Sequence, residues 1–393
     1  MLHQLFPIGS RFHPASACFA GLGFMLCPFA LSAATGTLLP GSSVYPRLVR
    51  IAHGTGTANG RILASTTDQI FESNDEGKTF SRIADVPAQT GSKFRCCETL
   101  FEMPRDVGGL RAGTLLFSAT YDIGDQPAIE IYTSTDEGHH WSYHSTPVSG
   151  RGEKGSGGLW EPEFSVARDG ALVMFWSDET FLCCSQKLQK IRTYDGAAWK
   201  DRSDAIASTV PADRPGMIVV RELPTDLYFM SYEICGDPKT GHHCAAYERT
   251  SRDGWNYGNA SELGQRIEAA DGSYFEHAPA NIWTPSPVSP NGVLLIVGQV
   301  LHQADGKFDP ENGRVVFMNP LLDGSGPWQR ISAPVAVPHS YDNFCPNYSS
   351  ALLPVEKDAS LLELASDYYA PKKCGTYFAV APWTEVLSKP AAK

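Results

Sequence analysis

The chain has 393 residues and a formal net charge of −11, and no block of basic residues stands out. Because nucleic-acid binding requires a positively charged surface, this charge balance argues against a nucleic-acid partner. Aromatic residues make up 11% of the chain, which also has 36 glycines and 28 prolines. Long amphipathic helical patterns are scarce, so the sequence predicts an all-β protein of many short strands joined by turns.

The first 34 residues have the pattern of a secretory signal peptide. Arg11 and His13 precede an apolar run of small residues that ends at Ser32-Ala33-Ala34. Small residues at positions 32 and 34 fit a signal-peptidase site, so we expect cleavage after about Ala34. A membrane anchor is the alternative, but glycine and proline interrupt the run and no basic flank follows it. We therefore expect a secreted (extracellular or periplasmic) monomer without membrane contact, formed by residues 35–393.

A turn motif recurs about every sixty residues. Its two clearest copies, Ser73–Phe80 and Ser134–Trp141, share the pattern Ser-x-Asp-x-Gly-x-x-aromatic, and each follows a run of β-forming residues. In such a hairpin turn the serine and aspartate side chains bond the turn amides, and the glycine adopts a positive φ angle. The aromatic residue anchors the turn to the sheet. We therefore assign the acidic residues of this motif to structure and not to catalysis.

Shorter copies of the motif extend the repeat along the chain. The aspartates at positions 75, 136, 195 and 253 are separated by 61, 59 and 58 residues, and a weaker copy surrounds Asp323. A period of about sixty residues fits one four-stranded propeller blade with long loops. The predicted mature chain has room for about six such units. The sequence therefore predicts a single six-bladed β-propeller of four-stranded antiparallel blades.

A rigid acidic stretch lies near the middle of the chain. Trp160-Glu161-Pro162-Glu163-Phe164 precedes a turn and an apolar run, residues 171–176, which is typical of a buried strand. Proline fixes one backbone dihedral, so the carboxylates are presented on a stiff segment. Stiffly held acids beside an aromatic ring suit a sugar-cleaving site. Glu161 is the first candidate and Glu163 its rival, and Trp160 is a candidate for stacking on a sugar ring.

A second candidate glutamate ends a later strand. The apolar run Tyr228–Tyr232 is followed directly by Glu233. We expect Glu161 and Glu233 to lie at the same end of their blades and to face a shared axial pocket. Retaining glycoside hydrolysis requires one nucleophilic carboxylate and one protonated acid of raised pKa, about 5–5.5 Å apart. We favour Glu161 as the nucleophile and Glu233 as the acid/base, although the sequence does not order the pair.

Other residues are candidates for contacts with the substrate. Arginines can hold sugar hydroxyls or keep a carboxylate ionised, and tyrosines can line the pocket. These substrate-binding candidates are Arg47, Arg214, Tyr232 and Tyr348. His277 is a further candidate for reaching the pocket, but a structural role is the more frequent one for such a histidine.

Eight cysteines remain after the predicted cleavage, and an even number in an exported chain indicates disulfides. Cys235 and Cys244 flank a turn and are placed to staple one hairpin. Cys345 and Cys374 are placed to tie the last blade. The connectivity of the adjacent pairs, at 96–97 and 183–184, stays open. His242-His243 lacks acidic or cysteine partners at helical spacing, so we expect no metal site and no cofactor.

The repeated turns resemble those of the Asp-box propellers of the sialidase-like superfamily. Within it, residues 160–164, 213–217 and 228–233 resemble motifs of the exo-α-L-arabinanase family, glycoside hydrolase family 93. That family cleaves α-1,5-linked arabinan from a chain end, releases arabinobiose, and retains anomeric configuration through two glutamates. The resemblance implies a six-bladed hydrolase of arabinan whose two glutamates fall on Glu161 and Glu233.

Two alternatives predict different sites. The stretch Asn347-Tyr348-Ser349-Ser350 resembles the nucleophile segment of sialidases, which also require three convergent arginines for a carboxylate substrate. The opening stretch Ser43–Leu48 departs from the sialidase order, because Pro46 precedes Arg47. A non-catalytic glycan-binding propeller is the second alternative, since this fold also hosts proteins that are not enzymes. It predicts no carboxylate pair at the retaining separation.

Overall fold

A computed structural model of the chain describes residues 34–56, 59–338 and 340–388. These residues belong to one compact unit, Ala33–Lys393. All but the last residue of the predicted signal peptide lie outside the described residues. No helix of the described part is long and apolar enough to cross a membrane.

The described chain folds into six antiparallel sheets, which we number as blades in chain order. Blade 1 consists of β2 (Arg47–Arg50), β3 (Ile62–Thr66), β4 (Gln69–Ser73) and β5 (Ser81–Asp85). Blade 2 consists of β6 (Ser92–Glu102), β7 (Leu115–Ile123), β8 (Gln126–Ser134) and β9 (Ser142–Ser149). Blade 3 consists of β10 (Leu159–Val166), β11 (Leu172–Asp178), β12 (Lys187–Thr193) and β13 (Lys200–Ile206).

The second half of the chain forms the remaining blades. Blade 4 consists of β14 (Arg214–Glu222), β15 (Tyr228–Cys235), β16 (Ala245–Ser251), β17 (Gln265–Arg266), β18 (Tyr274–Glu276) and β21 (Val300–His302). Blade 5 consists of β19 (Ala280–Ser286), β20 (Ser289–Val297), β22 (Val315–Asn319) and β23 (Gln329–Ser332). Blade 6 consists of β24 (Ala351–Val355), β25 (Ser360–Ala370), β26 (Lys373–Pro382) and β1 (Thr37–Leu38), and α1 (Trp383–Val386) follows it.

The first strands of the six blades form a closed ring. Each contacts the first strand of the next blade, in the order β2, β6, β10, β14, β19 and β24, and β24 contacts β2 again. The predicted six-bladed β-propeller is therefore confirmed. Five sheets have the four strands expected, and the sheet of blade 4 is larger because the short strands β17, β18 and β21 extend it.

The two ends of the described chain meet in blade 6. Strand β1 pairs with β26, with Thr37 opposite Phe378. The next residue, Leu39, is fully buried in an apolar cluster with residues of blades 1 and 6, including Ile62 and Leu362. The pairing keeps the ring closed, because blade 6 takes its outer strand from the beginning of the propeller.

The hydrogen bonds predicted for the repeated turns are present. In the second copy, Ser134 Oγ donates to Asp136 Oδ1 over 2.8 Å and accepts from the amide of Gly138 over 2.9 Å. Asp136 Oδ1 also accepts from the amide of His140, and the indole of Trp141 donates to the Gly138 carbonyl. These turns join the third and fourth strands of a blade, which places them at the end of the propeller opposite the beginnings of the first strands.

The closure of the ring predicts a stability effect at Leu39. Leu39→Ala should lower the free energy of unfolding by about 2–4 kcal/mol, because it opens a cavity at the junction of blades 1 and 6. Chemical denaturation monitored by fluorescence measures this change. Leu182→Ala is the control, since Leu182 is 71% exposed and its truncation should change stability by less than about 0.5 kcal/mol. Equal stability of the two variants would contradict the closing role of this segment.

Candidate active site

Every blade contributes at least one residue with a positive φ angle in, or just before, its first strand. The residues that lie in or nearest to these strands, with φ between 47° and 66°, are Tyr45, Cys97, Glu161, Met217, Ala278 and Ser349. In β6, β10 and β14 the residue lies where the pairing register shifts, as in a β-bulge. Bulges re-aim side chains and are frequent beside active sites. Here they turn one residue of each blade out of the regular pleat at the same end of the ring.

Residues from five blades pack together at this end of the propeller axis. Tyr45, Met217 and Ala278 form a buried apolar cluster, with Cys97 and Tyr348 packed against it. The sulfur of Met217 lies at the centre, 3.9 Å from the hydroxyl oxygen of Tyr45 and 3.8 Å from that of Tyr348. We call this cluster the axial floor.

Glu161 is held by two neutral hydrogen-bond donors. The Ser177 hydroxyl donates to Glu161 Oε2 over 2.6 Å, and the Met217 amide donates to the same oxygen over 2.8 Å. Burial raises the pKa of Glu161 to about 7; the two donors oppose this shift, and the charges of Glu233 and Glu179 add to it. A carboxyl group with this pKa gains and loses its proton near neutral pH, as a general acid or base must.

Glu233 lies near the end of β15 in the next blade, among charged groups. The Ala278 amide donates to Glu233 Oε2 over 2.6 Å, and Nδ1 of His277 is 3.9 Å from the same oxygen. Burial raises the pKa of Glu233, and the charge of Asp342 adds to this. The positive charges of His277 and Arg214 and the Ala278 amide act in the opposite direction, because they favour the ionised carboxylate.

One dipeptide of β14 contacts the surroundings of both carboxylates. Gly216 lies opposite Glu233 in the β14–β15 pairing, and the next residue, Met217, donates its amide to Glu161. A Cβ atom at Gly216 would lie 2.7 Å from Nε2 of Gln186 and 3.7 Å from Oε2 of Glu161, so a larger residue here would displace the Gln186 amide. The backbone of β14 therefore lies against both of the predicted glutamates, Glu161 and Glu233.

His277 has a larger part in the site than the sequence suggested. Its Nε2 is 3.5 Å from Oδ1 of Asp342, and its Nδ1 faces Glu233. Burial disfavours the charged imidazolium, but the bond to Asp342 and the charges of Glu233, Asp342 and Glu276 outweigh this and raise the pKa of His277 to about 9. His277 is therefore a cation at neutral pH. Asp342 is 65 residues away in sequence, and no local pattern indicates the pair.

Arg214 is fixed beside the pocket. Its guanidinium donates to Ser185 Oγ over 2.7 Å and to Gln186 Oε1 over 2.8 Å, and it forms an ion pair with Glu179. Its positive charge opposes the rise in the pKa of Glu233 that burial causes.

Tyr348 and Trp160 border the site in different ways. The partly exposed Tyr348 belongs to the axial floor, and burial together with the charges of Glu161 and Glu233 raises its pKa well above the usual range. Trp160 directly precedes Glu161 and is also partly exposed. Its ring contacts the guanidinium of Arg95, whose central carbon is 4.4 Å from the ring centroid. Both aromatic rings are thus partly accessible to solvent.

The structure differs from the sequence prediction at three candidate residues. The first is Tyr232, which is fully buried. Its hydroxyl donates to the carbonyl of Leu263 over 2.6 Å, and its ring stacks on Tyr247. Consecutive residues of a strand face opposite sides, so Tyr232 points into the core while Glu233 faces the site. Tyr232 is therefore a core residue and not a substrate contact.

Arg47 and Glu163 also have structural partners. Arg47 donates to Ser349 Oγ over 3.0 Å and lies over the ring of Tyr45, so it joins blades 1 and 6 beside the axial floor. Glu163 is buried and forms an ion pair with Arg221, and it accepts a hydrogen bond from Thr99. The bulge between Trp160 and Glu163 separates the environments of the two acids of this stretch, which leaves Glu161 as the candidate.

The eight cysteines of the described residues form four disulfides. The pairs are Cys96–Cys97, Cys183–Cys184, Cys235–Cys244 and Cys345–Cys374. The latter two pairings agree with the prediction, and the adjacent cysteines, left open by the sequence, pair with each other. Cys235, Cys244 and His277 lie close enough to share an ion, but disulfide sulfurs offer no thiolate to a metal.

Comparison with solved structures identifies proteins that resemble the whole propeller. An α-L-arabinanase of Penicillium chrysogenum complexed with arabinobiose has a TM-score of 0.73 and 25% identity, over 90% of this chain and 98% of that chain. An α-L-arabinofuranosidase of Fusarium graminearum from glycoside hydrolase family 93, also with arabinobiose, has a TM-score of 0.71 and 22% identity, over 91% and 99%. The predicted resemblance, and with it the predicted enzyme class, a glycoside hydrolase, is confirmed.

A sialidase is a more distant neighbour. The Hadza microbial sialidase Hz136 has a TM-score of 0.53 and 13% identity, over 90% of this chain and 69% of that chain. No protein-family model matches the sequence, and no curated protein does.

The raised pKa of Glu161 predicts that removing its charge stabilises the protein. An acid whose pKa is higher in the folded state loses stability as pH rises from the unfolded to the folded value, here from about 4.5 to about 7. Glu161→Gln should therefore raise the free energy of unfolding by about 1–3 kcal/mol at pH 8, and by little at pH 4.5. Denaturant unfolding at the two pH values measures the gain.

Glu163→Gln is the matched control in the same strand. It removes the charge that pairs with Arg221, so it should destabilise the protein at pH 8. If Glu161→Gln proved equally destabilising at both pH values, burial would not be what raises the pKa of Glu161.

Proposed function

We propose that this chain is a secreted, retaining, exo-acting glycoside hydrolase that cleaves α-1,5-L-arabinan from a chain end and releases arabinobiose. The observation that carries the proposal is the meeting of Glu161 and Glu233 at the Gly216-Met217 dipeptide on the propeller axis. The arabinanase and arabinofuranosidase neighbours, both solved with arabinobiose, support this substrate class. The four disulfides are compatible with secretion.

In a retaining hydrolase the two carboxyl groups have different roles. One attacks the anomeric carbon and forms a glycosyl-enzyme ester, while the other protonates the oxygen of the leaving sugar. The second group then removes a proton from water, which attacks the anomeric carbon and releases the first carboxylate. Both glutamates are buried enough to have raised pKa values, and fixed amide donors orient both.

The charges around the pair decide where its proton resides before substrate binds. Cationic His277 and Arg214 favour an ionised Glu233, whereas the donors to Glu161 are neutral. Glu161, whose pKa is raised to about 7, therefore holds a proton in part of the free protein near neutral pH. If Glu161 is the nucleophile, as the sequence suggested, it must lose this proton when the sugar enters. Rescue of alanine variants by azide assigns the roles, since the anomer of the glycosyl azide shows which carboxylate was removed.

Three residues are proposed to contact the sugar. Trp160 and Tyr348 offer partly exposed aromatic rings on two sides of Glu161. Arg214 is held rigidly by Glu179 at the side of Glu233. A neutral furanose suits this arrangement, because its hydroxyls need a few fixed polar partners and its carbon face packs on aromatic rings.

The contacts of Tyr348 and the arginines disfavour the sialidase alternative. The hydroxyl of Tyr348 contacts the sulfur of Met217, whereas a sialidase tyrosine would bond a carboxylate such as Glu233. Arg47 is committed to Ser349 and the ring of Tyr45, so it does not join Arg214 in a cluster for a substrate carboxylate. The second alternative, a non-catalytic binder, does not account for two buried glutamates of raised pKa at one site.

Product analysis tests the proposal directly. The purified protein on linear arabinan should release arabinobiose as the dominant early product. Glu161→Ala and Glu233→Ala should each lower kcat by about 10²–10⁴-fold, because each removes one carboxyl group of the chemistry. Glu163→Gln is the control for loss of a neighbouring buried acid and should retain turnover. A folded wild-type protein that releases no arabinose oligomers would sink the proposal, and sialosides would be tested next.

The cation beside Glu233 predicts a change in the pH profile. His277→Gln removes a positive charge that lowers the pKa of Glu233, so the limb of the kcat/KM profile that reports Glu233 should move to higher pH. His140→Gln, which breaks an exposed ion pair with Asp136, is the control and should leave the profile unchanged. An unshifted limb in His277→Gln would contradict the charge coupling.

A further inference from the structure

Blade 6 carries a group of exposed aromatic side chains at the pocket end of the propeller. Phe344 is 72% exposed, Tyr369 is 48% exposed and Tyr341 is 42% exposed. Phe344 and Tyr341 lie on the loop before β24, and Tyr369 lies near the end of β25. We call these three residues the aromatic edge. Exposure of several large apolar groups in one place is unfavourable in water and marks binding surfaces.

A disulfide and a hydrogen bond hold the loop that carries Phe344 in the aromatic edge. The residue after Phe344 is Cys345, whose disulfide to Cys374 ties the loop to β26. Tyr368 lies opposite Cys374 in the β25–β26 pairing, and its hydroxyl donates to Oδ1 of Asn343 over 2.8 Å. The loop is thus held on both sides of Phe344. A rigid loop that presents its largest apolar side chain to solvent is built to meet another molecule.

The edge is continuous with the candidate active site. The ring of Phe344 lies 5.5 Å from the ring of Tyr348, with an interplanar angle of 65°. Tyr348 belongs to the axial floor, and the charges of Glu161 and Glu233 add to the effect of burial in raising the pKa of its hydroxyl. The Phe344 ring therefore links the axial floor to the exterior of blade 6.

We infer that the aromatic edge binds the part of the arabinan chain that extends out of the pocket. This inference rests on the proposed function and specifies which side of the pocket the polysaccharide follows. Furanose rings present C–H groups that pack on aromatic faces, and a neutral polymer requires no cationic partner. The net charge of −11 disfavours an anionic polymer on the same surface.

The dependence of hydrolysis on substrate length tests the inference. Linear α-1,5-arabino-oligosaccharides of three to six residues are compared by kcat/KM in the wild type, Phe344→Ala, Phe344→Trp and Tyr369→Ala. The ratio of kcat/KM for the hexasaccharide to that for the trisaccharide should fall about three- to tenfold in both alanine variants. Phe344→Trp should keep the ratio, because it retains an aromatic face. Tyr143→Ala, which truncates an exposed aromatic on the outer strand of blade 2, is the control.

A binding measurement separates this inference from the proposed function. In native gels containing linear arabinan, the wild type should be retarded and Phe344→Ala should be retarded less. An unchanged ratio together with unchanged retardation in Phe344→Ala overturns the inference. A wild type that is retarded through Phe344 but hydrolyses nothing would support the aromatic edge and overturn the proposed enzyme. Because Phe344 is largely exposed, its truncation should leave the melting temperature unchanged.

Discussion

The hydrogen bond from the Met217 amide to Glu161 is the contact on which the site depends. It exists because β14 bulges after Gly216, and Met217 takes a φ of 57°, a conformation that costs a non-glycine residue about 1–2 kcal/mol. The same bulge places the Met217 side chain at the centre of the axial floor and keeps Gly216 opposite Glu233. A regular strand here would separate the two glutamates and open the axis.

The two carboxyl groups of the site destabilise the folded state, and the closed ring of blades compensates for this destabilisation. Glu161 and Glu233 are two partly buried acids at one site: burial raises the pKa of both, and the charge of Glu233 raises that of Glu161 further. Six inner strands that contact one another in a closed circle tolerate this, because no single blade can move away to relieve the repulsion. Closure by β1 is therefore a condition for the chemistry as well as for the fold.

Local patterns predicted more of the fold than of the site. The turn motif is readable because Ser134, Asp136 and Gly138 bond within one hairpin, and its period gave the number of blades. Glu161 and Glu233 were found because each adjoins a recognisable strand. The His277–Asp342 pair was missed because it joins two blades through loops that share no sequence pattern. The prediction that Tyr232 contacts the substrate is wrong. Strand alternation predicts the observed arrangement, because a site-facing Glu233 requires the preceding Tyr232 to face the core.

The two ends of the propeller differ in construction, and this difference explains why the turn motif can shorten while the fold is kept. The turns join third and fourth strands, and a shortened copy such as the one at Asp195 still closes its hairpin through the Thr193 hydroxyl. At the other end each blade contributes a different side chain at its positive-φ position: a tyrosine, a half-cystine, a glutamate, a methionine, an alanine and a serine. The positive-φ backbone is common to all six blades, whereas the proposed chemistry requires the one blade that places a glutamate there and the neighbour that supplies Glu233.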